Sequence, residues 1–367
     1  MSGAVRLHRA AQVGLFVACA VALQLGLAAA GKGFLLTQLT MAAASTLAVV
    51  GISLLMGYAG QISLGHAAFF AVGGYTSAVL TTLDLAPQRA DALVAAGARL
   101  GLLVARADLY GGELLTVHPA PAALLAVALA MALAWAVGVP VLKLKGHYLA
   151  MATLGVGTIV YSVALGTGWL GSADGISGVP PFPLPGGASV SGRAAGRVLN
   201  YYVAVGLLAA AMLLLLNLVQ ARIGRALRAI HGAEDAASAM GVDTASLKLK
   251  TFVLSAALAA VAGVFLTHYN GGIGPSEAST MKSVKYMAIV AVGGMGSLWG
   301  TLGMSLLLTF LSLRGTFGVF DDAVFGLILV VIMLFAPEGL LALEPRRLLA
   351  GLRARLGGGG GDGEEAR

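Results

Sequence analysis

Gln61, Ser63 and His66 are the side chains best suited to meet a polar solute in this sequence. They share the stretch Gly57-Tyr58-Ala59-Gly60-Gln61-Ile62-Ser63-Leu64-Gly65-His66-Ala67-Ala68-Phe69-Phe70, which lies between long apolar runs. Polar side chains and helix-loosening glycines are costly at membrane depth unless they face a cavity or a partner helix. The stretch therefore reads as the lining of a path through a membrane, with Gln61, Ser63, Gly65, His66 and Phe69 as its candidate residues. The amide of Gln61 and the hydroxyl of Ser63 can bond the ammonium or carboxylate of an amino acid in transit. They can equally join helices of a bundle, at ~1 kcal/mol per bond. His66 either lines the path or relays a proton, or is a buried histidine bonded to a backbone carbonyl. Phe69 and Phe70 serve as bundle packing or as a hydrophobic constriction. Gly57, Gly60, Gly65, Gly73 and Gly74 permit close packing or a break in the helix.

The second group of residues is charged. Gln220 to Lys250 is a long segment that does not read as a span, carrying Arg222, Arg225, Arg228, Lys248 and Lys250. Ile223, Leu227, Ile230, Ala237 and Met240 recur at three- and four-residue spacing, which predicts a helix with one apolar face ended by Gly241. Such a helix either anchors a loop at the membrane surface or enters a partner's groove. No Cys/His metal spacing and no hydrolytic triad is present. No Gly-x-x-x-x-Gly-Lys-Ser/Thr phosphate loop occurs either, so the chain cannot hydrolyse ATP by that chemistry.

The elements that position these residues follow from composition. The chain has 367 residues, of which 58% are hydrophobic and 11% charged. Soluble domains carry about 25% charged residues. The apolar runs are continuous and of helix-spanning length, unlike the short alternating segments of a β-barrel. Runs cover Ala10 to Ala30, Phe34 to Met56, Ile62 to Leu83, Pro121 to Leu142, Tyr148 to Leu165, Asn200 to Val219, Thr251 to His268, Tyr286 to Leu313 and Ala323 to Ala336. The first run resembles a signal peptide but is long for one, and is read as a retained helix. Gly293-Gly294-Met295-Gly296-Ser297 interrupts the run from Tyr286 and splits it into two helices, as in transporters with broken helices.

Residues 84–118 form a loop with a surface helix through Ala90 to Ala105, and residues 166–199 form a turn-rich loop. The net charge of +7 sits in short loops and at the termini. That places the N-terminus, Lys143, Lys145, the 220–250 segment and the C-terminus inside the cell, and the loops 84–118 and 166–199 outside. The pattern gives no basic–aromatic signature for nucleic acid. Residues 344–367 comprise a short arginine-bearing helix on the membrane surface and a disordered glycine-rich tail, both cytoplasmic.

Several motifs carry a family resemblance. Asp235-Ala236-Ala237-Ser238-Ala239-Met240-Gly241 resembles the Glu-Ala-Ala-x-x-x-Gly loop of bacterial ABC-import permeases, with Asp for the usual Glu. The Gly57–Phe70 stretch resembles the LivM-type permease of branched-chain amino-acid importers. So do Gly146-His147-Tyr148-Leu149-Ala150-Met151-Ala152-Thr153-Leu154, Ser172-Ala173-Asp174-Gly175-Ile176-Ser177-Gly178, Arg225-Ala226-Leu227-Arg228-Ala229-Ile230, Gly293-Gly294-Met295-Gly296-Ser297-Leu298-Trp299-Gly300 and Phe335-Ala336-Pro337-Glu338-Gly339-Leu340.

The resemblance implies an all-α fold, a polytopic transmembrane bundle of about 8–10 spans over residues 1–343. It implies a plasma-membrane subunit of a bacterial importer that works with a homologous permease, two ATP-binding subunits and a periplasmic binding protein delivering leucine, isoleucine or valine. ATP and magnesium would be bound by those partners and no cofactor by this chain. Arg225, Arg228, Glu234, Asp235, Ala236, Ala237 and Gly241 are then the residues expected to meet the ATP-binding subunit, and Asp174 and Gly175 the binding protein. Urea, short amides or other amino acids are alternative solutes. An ion-coupled secondary transporter would want acidic residues within the spans, and the apolar runs have none.

Overall fold

Alanine and leucine, the strongest helix formers, fill the apolar runs, and in lipid a helix satisfies its backbone within itself. The computed structural model describes residues 2–88, 91–107, 113–144, 146–316 and 318–335. Helix α1 (Ser2–Ala29) precedes α2 (Leu35–Ala59) and α3 (His66–Thr82). A short helix α4 (Ala92–Arg99) leads to the hairpin of β1 (Leu103–Ala107) and β2 (Glu113–Val117). Helices α5 (Pro119–Val141) and α6 (His147–Gly166) follow. Three two-residue strands come next: β3 (Ile176–Ser177), β4 (Phe182–Pro183) and β5 (Ser189–Val190). Then come α7 (Arg197–Gln220), α8 (Arg222–Gly232), α9 (Glu234–Ala239) and α10 (Thr244–Asn270). Strand β6 (Gly272–Ile273) pairs antiparallel with β3 and leads to α11 (Thr280–Gly293), α12 (Leu298–Leu313) and α13 (Asp321–Phe335).

Among the described residues, six helices (α1, α2, α5, α6, α7 and α10) are long and apolar enough to cross a membrane by themselves. The apolar helices α3, α11, α12 and α13 are shorter, at 17, 14, 16 and 15 residues. The core is built on α2, 83% of whose most apolar window is buried, whereas α1, at 17%, runs along the outside. Helix α10 packs on α2, α3 and α5, and α2 also packs on α7 and α12. Hydroxyl pairs tie α2 to α12: Thr46 to Ser305 at 2.9 Å and Ser53 to Thr301 at 3.1 Å. Small residues let α3 and α10 approach closely; a Cβ on Gly263 would lie 2.0 Å from the Phe70 carbonyl oxygen.

Four expectations are corrected. The third run is not helical from Ile62; residues 60–65 form a break and α3 starts at His66. The surface helix stops at Arg99, because Gly101 turns the chain at φ 69° and Leu103 enters a β-strand. The 220–250 segment is two helices divided at Ala233 (φ −157°, ψ 98°), and its last residues already belong to α10. Helix α11 begins at Thr280, which draws Lys282 and Lys285 into the bundle. The glycine split of the Tyr286–Leu313 run occurs where expected, between α11 and α12. Pro337 and Glu338, the surface helix and the glycine-rich tail lie outside the described residues.

Candidate translocation site

The break after α2 is set by Gly60. It caps the helix in the left-handed conformation (φ 65°, ψ 23°), and its N–H returns to the Leu55 carbonyl. The same carbonyl accepts from Gln61 N at 3.1 Å. Such a turn ends a helix and suits glycine, which lacks a Cβ. The broken backbone is then satisfied by side chains from other helices. Leu64 N–H donates to Thr153 Oγ1 of α6 at 3.0 Å, and Ala67 N–H to Ser283 Oγ of α11 at 3.1 Å.

The second break, at 294–297, docks against the first. Tyr58 Oη–H donates to the Gly296 carbonyl at 2.9 Å. A Cβ on Gly57 would sit 1.5 Å from the Met295 carbonyl oxygen. Both breaks therefore share one end of the bundle, and the first lies beside α8. The nearest atom to a Cβ on Gly60 would be His231 Nδ1 of α8, at 3.1 Å.

Ser63, His66 and Ser255 form one hydrogen-bonded chain. His66 Nδ1 lies 2.8 Å from Ser63 Oγ, and His66 Nε2 lies 2.8 Å from Ser255 Oγ. The imidazole is fully buried and meets the rings of Phe69 and Phe252 edge-on at 5.7 and 5.6 Å. Its partners are hydroxyls and not the expected backbone carbonyl. Each hydroxyl both donates and accepts, so either imidazole tautomer is accommodated. Phe69, 1% exposed, packs inside this cluster. Gly65 is pressed against α6, where a Cβ would lie 2.3 Å from the Thr153 carbonyl oxygen. Ser63, Gly65, His66 and Phe69 are thus placed in helix packing.

Gln61 is different. It is 2% exposed, and neither its amide nitrogen nor its amide oxygen has a hydrogen-bond partner among the described residues. Ser255, Phe252, Thr153 and Ser283 complete the site and were not singled out by sequence reading. For Ser255 and Thr153 the available signal was a hydroxyl within an apolar run; Phe252 and Ser283 offered none.

At the same end, Arg222, Arg225 and Arg228 are exposed, and Arg228 Nη2–H donates to the Val219 carbonyl at 3.2 Å, capping α7. Leu227, Ile230 and Ala237 are buried as the apolar spacing requires. Ile223, at the first turn of α8, and Met240, just past α9, are instead 46% and 85% exposed. Glu234 is ion-paired with Lys248 of α10. Asp235, Ala236, Ser238, Ala239 and Gly241 are exposed, and Gly241 turns the chain at φ 83°.

At the opposite end Asp174 is exposed in a tight turn, its N–H donating to the Gly171 carbonyl at 3.1 Å. Gly175 (φ 70°) lies against β6. The hairpin joins this surface, with Arg106 donating to the Gly178 carbonyl at 3.2 Å. Among the described residues no group of His, Cys, Asp and Glu could hold a metal ion.

Six apolar helices of spanning length among the described residues, together with two interlocked helix breaks, mark a multi-pass membrane protein. The chain belongs to the family of branched-chain amino acid transport system permease components, whose model matches residues 34–337. It is 29% identical over 337 residues to the high-affinity branched-chain amino acid transport system permease protein LivM of Escherichia coli, covering 86% of this chain and 71% of that protein. It is 25% identical over 319 residues to the corresponding protein BraD of Pseudomonas aeruginosa, covering 84% and 94%. To the E. coli permease protein LivH it is 24% identical over 307 residues, covering 82% and 92%. No solved structure matches it significantly.

Proposed function

We propose that this chain is one membrane-spanning subunit of an ATP-driven importer of leucine, isoleucine and valine. In this reading it pairs with a homologous permease, two ATP-binding subunits and a periplasmic binding protein. Family membership supports the solute class, since the relatives are branched-chain amino-acid permeases. The observation that carries the mechanism is the contact between the Gly60 turn and His231 of α8. It ties the break in the membrane to the exposed α8–α9 surface, so a push on that surface reaches the break without a long relay.

The orientation is argued from charge. Arg222, Arg225, Arg228 and Lys250 cluster at the α8–α9 end, along with Arg9, which bonds Asn217 at 2.8 Å. A basic end belongs on the cytoplasmic side, where ATP is, and the hairpin end then faces the binding protein. Asp235 to Gly241, with Met240 as an exposed apolar knob, is the surface assigned to the ATP-binding subunit. Gln61 is assigned to the passage, because an amide buried without a partner costs about 1–3 kcal/mol and a passing solute would supply the missing bonds. A weak contact of this kind suits an importer fed by a binding protein, where tight binding would slow release.

The test is affinity purification of the tagged chain from its native membrane, followed by a solute panel in proteoliposomes. Recovery of an ATP-binding subunit, and uptake of leucine in preference to urea, are expected. Urea uptake without leucine uptake would replace the solute.

A further inference from the structure

The surface at the hairpin end contains a polar chamber of about 330 Å³, near the lower size of a small-molecule pocket. Its walls include Asp174, Asn270 and Glu277 on one hand and Phe70, Leu266 and Ile176 on the other. Two of these residues already hold an ammonium group. Lys282 Nζ is ion-paired with the Glu277 carboxylate and lies 4.2 Å from the centre of the Phe70 ring. The Tyr286 ring is 5.9 Å from the same nitrogen, and the Tyr286 hydroxyl, in a residue 4% exposed, has no partner among the described residues. A carboxylate beside aromatic faces is the chemistry that recognises a primary ammonium.

We propose that this chamber is a transit site for zwitterionic amino acids, with Lys282 as a tethered stand-in for the solute's α-ammonium. The inference rests on the amino-acid reading above. An arriving amino acid exchanges with Lys282: its α-ammonium takes the place against Glu277 and Phe70, and the released Lys282 ammonium pairs with its α-carboxylate. One ion pair becomes two, and the net charge of the chamber does not change. That neutrality matters, because bringing a single charge out of water is penalised heavily unless it is paired. Leu266, Ile176 and the Phe70 ring receive an apolar side chain. Urea carries neither charge and leaves the Glu277–Lys282 pair closed. Asn270 and Asp174 stand at the wall as the polar route from the surface.

The test uses the full transporter in proteoliposomes with its binding protein. Glu277→Gln keeps the shape and a hydrogen bond to Lys282 but removes the charge. The joint change Glu277→Met with Lys282→Met replaces the pair with apolar packing, which a purely structural ion pair tolerates. Both variants are expected to co-purify with the ATP-binding subunit and to lower kcat for leucine at least about tenfold with KM unchanged, since KM is set by delivery. Lys282→Arg, which keeps the cation, is expected to retain most of the uptake. Wild-type kcat in either Glu277→Gln or the double methionine variant would overturn the inference while leaving the leucine assignment standing. A wild-type transporter that takes urea and not leucine would fail at the assignment itself.

Discussion

Gln61 and His66 lie on the same turn of chain yet have opposite environments. His66 has both ring nitrogens bonded, to Ser63 and Ser255, and is sealed by Phe69 and Phe252. Replacing it by leucine leaves two buried hydroxyls unpaired and is expected to destabilise the bundle by about 2–4 kcal/mol. Adding Ser63→Ala and Ser255→Ala to that variant should recover part of the loss. Thermal unfolding of the purified permease in one detergent checks both. Gln61 has no hydrogen bond to lose in this structure, because its amide is already unpaired among the described residues. Gln61→Leu is therefore expected to raise stability by about 1–3 kcal/mol while lowering solute flux. Lower stability in Gln61→Leu would show that the amide has a partner in the bundle and would remove it from the passage.

At the scale of elements, the two breaks lock against each other and the first lies against α8. Gly57→Ala would drive a methyl group into the Met295 carbonyl, where 1.5 Å is available, and is expected to abolish recovery of folded protein. Gly60→Ala strains a left-handed residue by about 1–2 kcal/mol and should leave the fold intact, as fluorescence-detected size exclusion of the pair would show. Much of this arrangement was legible in the sequence. Continuous apolar runs mark helices because lipid leaves the backbone no other partner, and Gly293–Ser297 marks the second break by its glycines.

The first break was harder to read. Ile62 and Leu64 are as apolar as a helix would want; beyond the Gly60 turn, the chain there is sustained by tertiary bonds to Thr153 and Ser283. The division of the 220–250 segment at Ala233 was hidden for a similar reason. The spacing of Leu227, Ile230 and Ala237 is that of one continuous helix, and Gly232, the last residue of α8, was a weak local mark of the division. The packing role of His66, Ser63 and Phe69 needed Ser255 and Phe252, which lie on a helix far away in sequence.

At the scale of the molecule, orientation and energy supply are the claims. With Cys19→Ser as background, a cysteine at Leu100 is expected to react with an impermeant maleimide in intact cells, and one at Met240 only after permeabilisation. Leu100 is well exposed, at 74%, so silence there reports sidedness and not burial; Met240, at 85%, is read in cells lacking the ATP-binding subunit assigned to cover it. Energy is taken to enter through α9, so Asp235→Lys and Gly241→Arg should weaken recovery of the ATP-binding subunit without unfolding the bundle; a size-exclusion profile beside the pull-down separates the two.

The purified chain, reconstituted with its partner permease, ATP-binding subunits and binding protein, should accumulate radiolabelled leucine inside proteoliposomes only when hydrolysable ATP is on the α8–α9 side. Leucine accumulation that proceeds without ATP hydrolysis would contradict ATP-driven import.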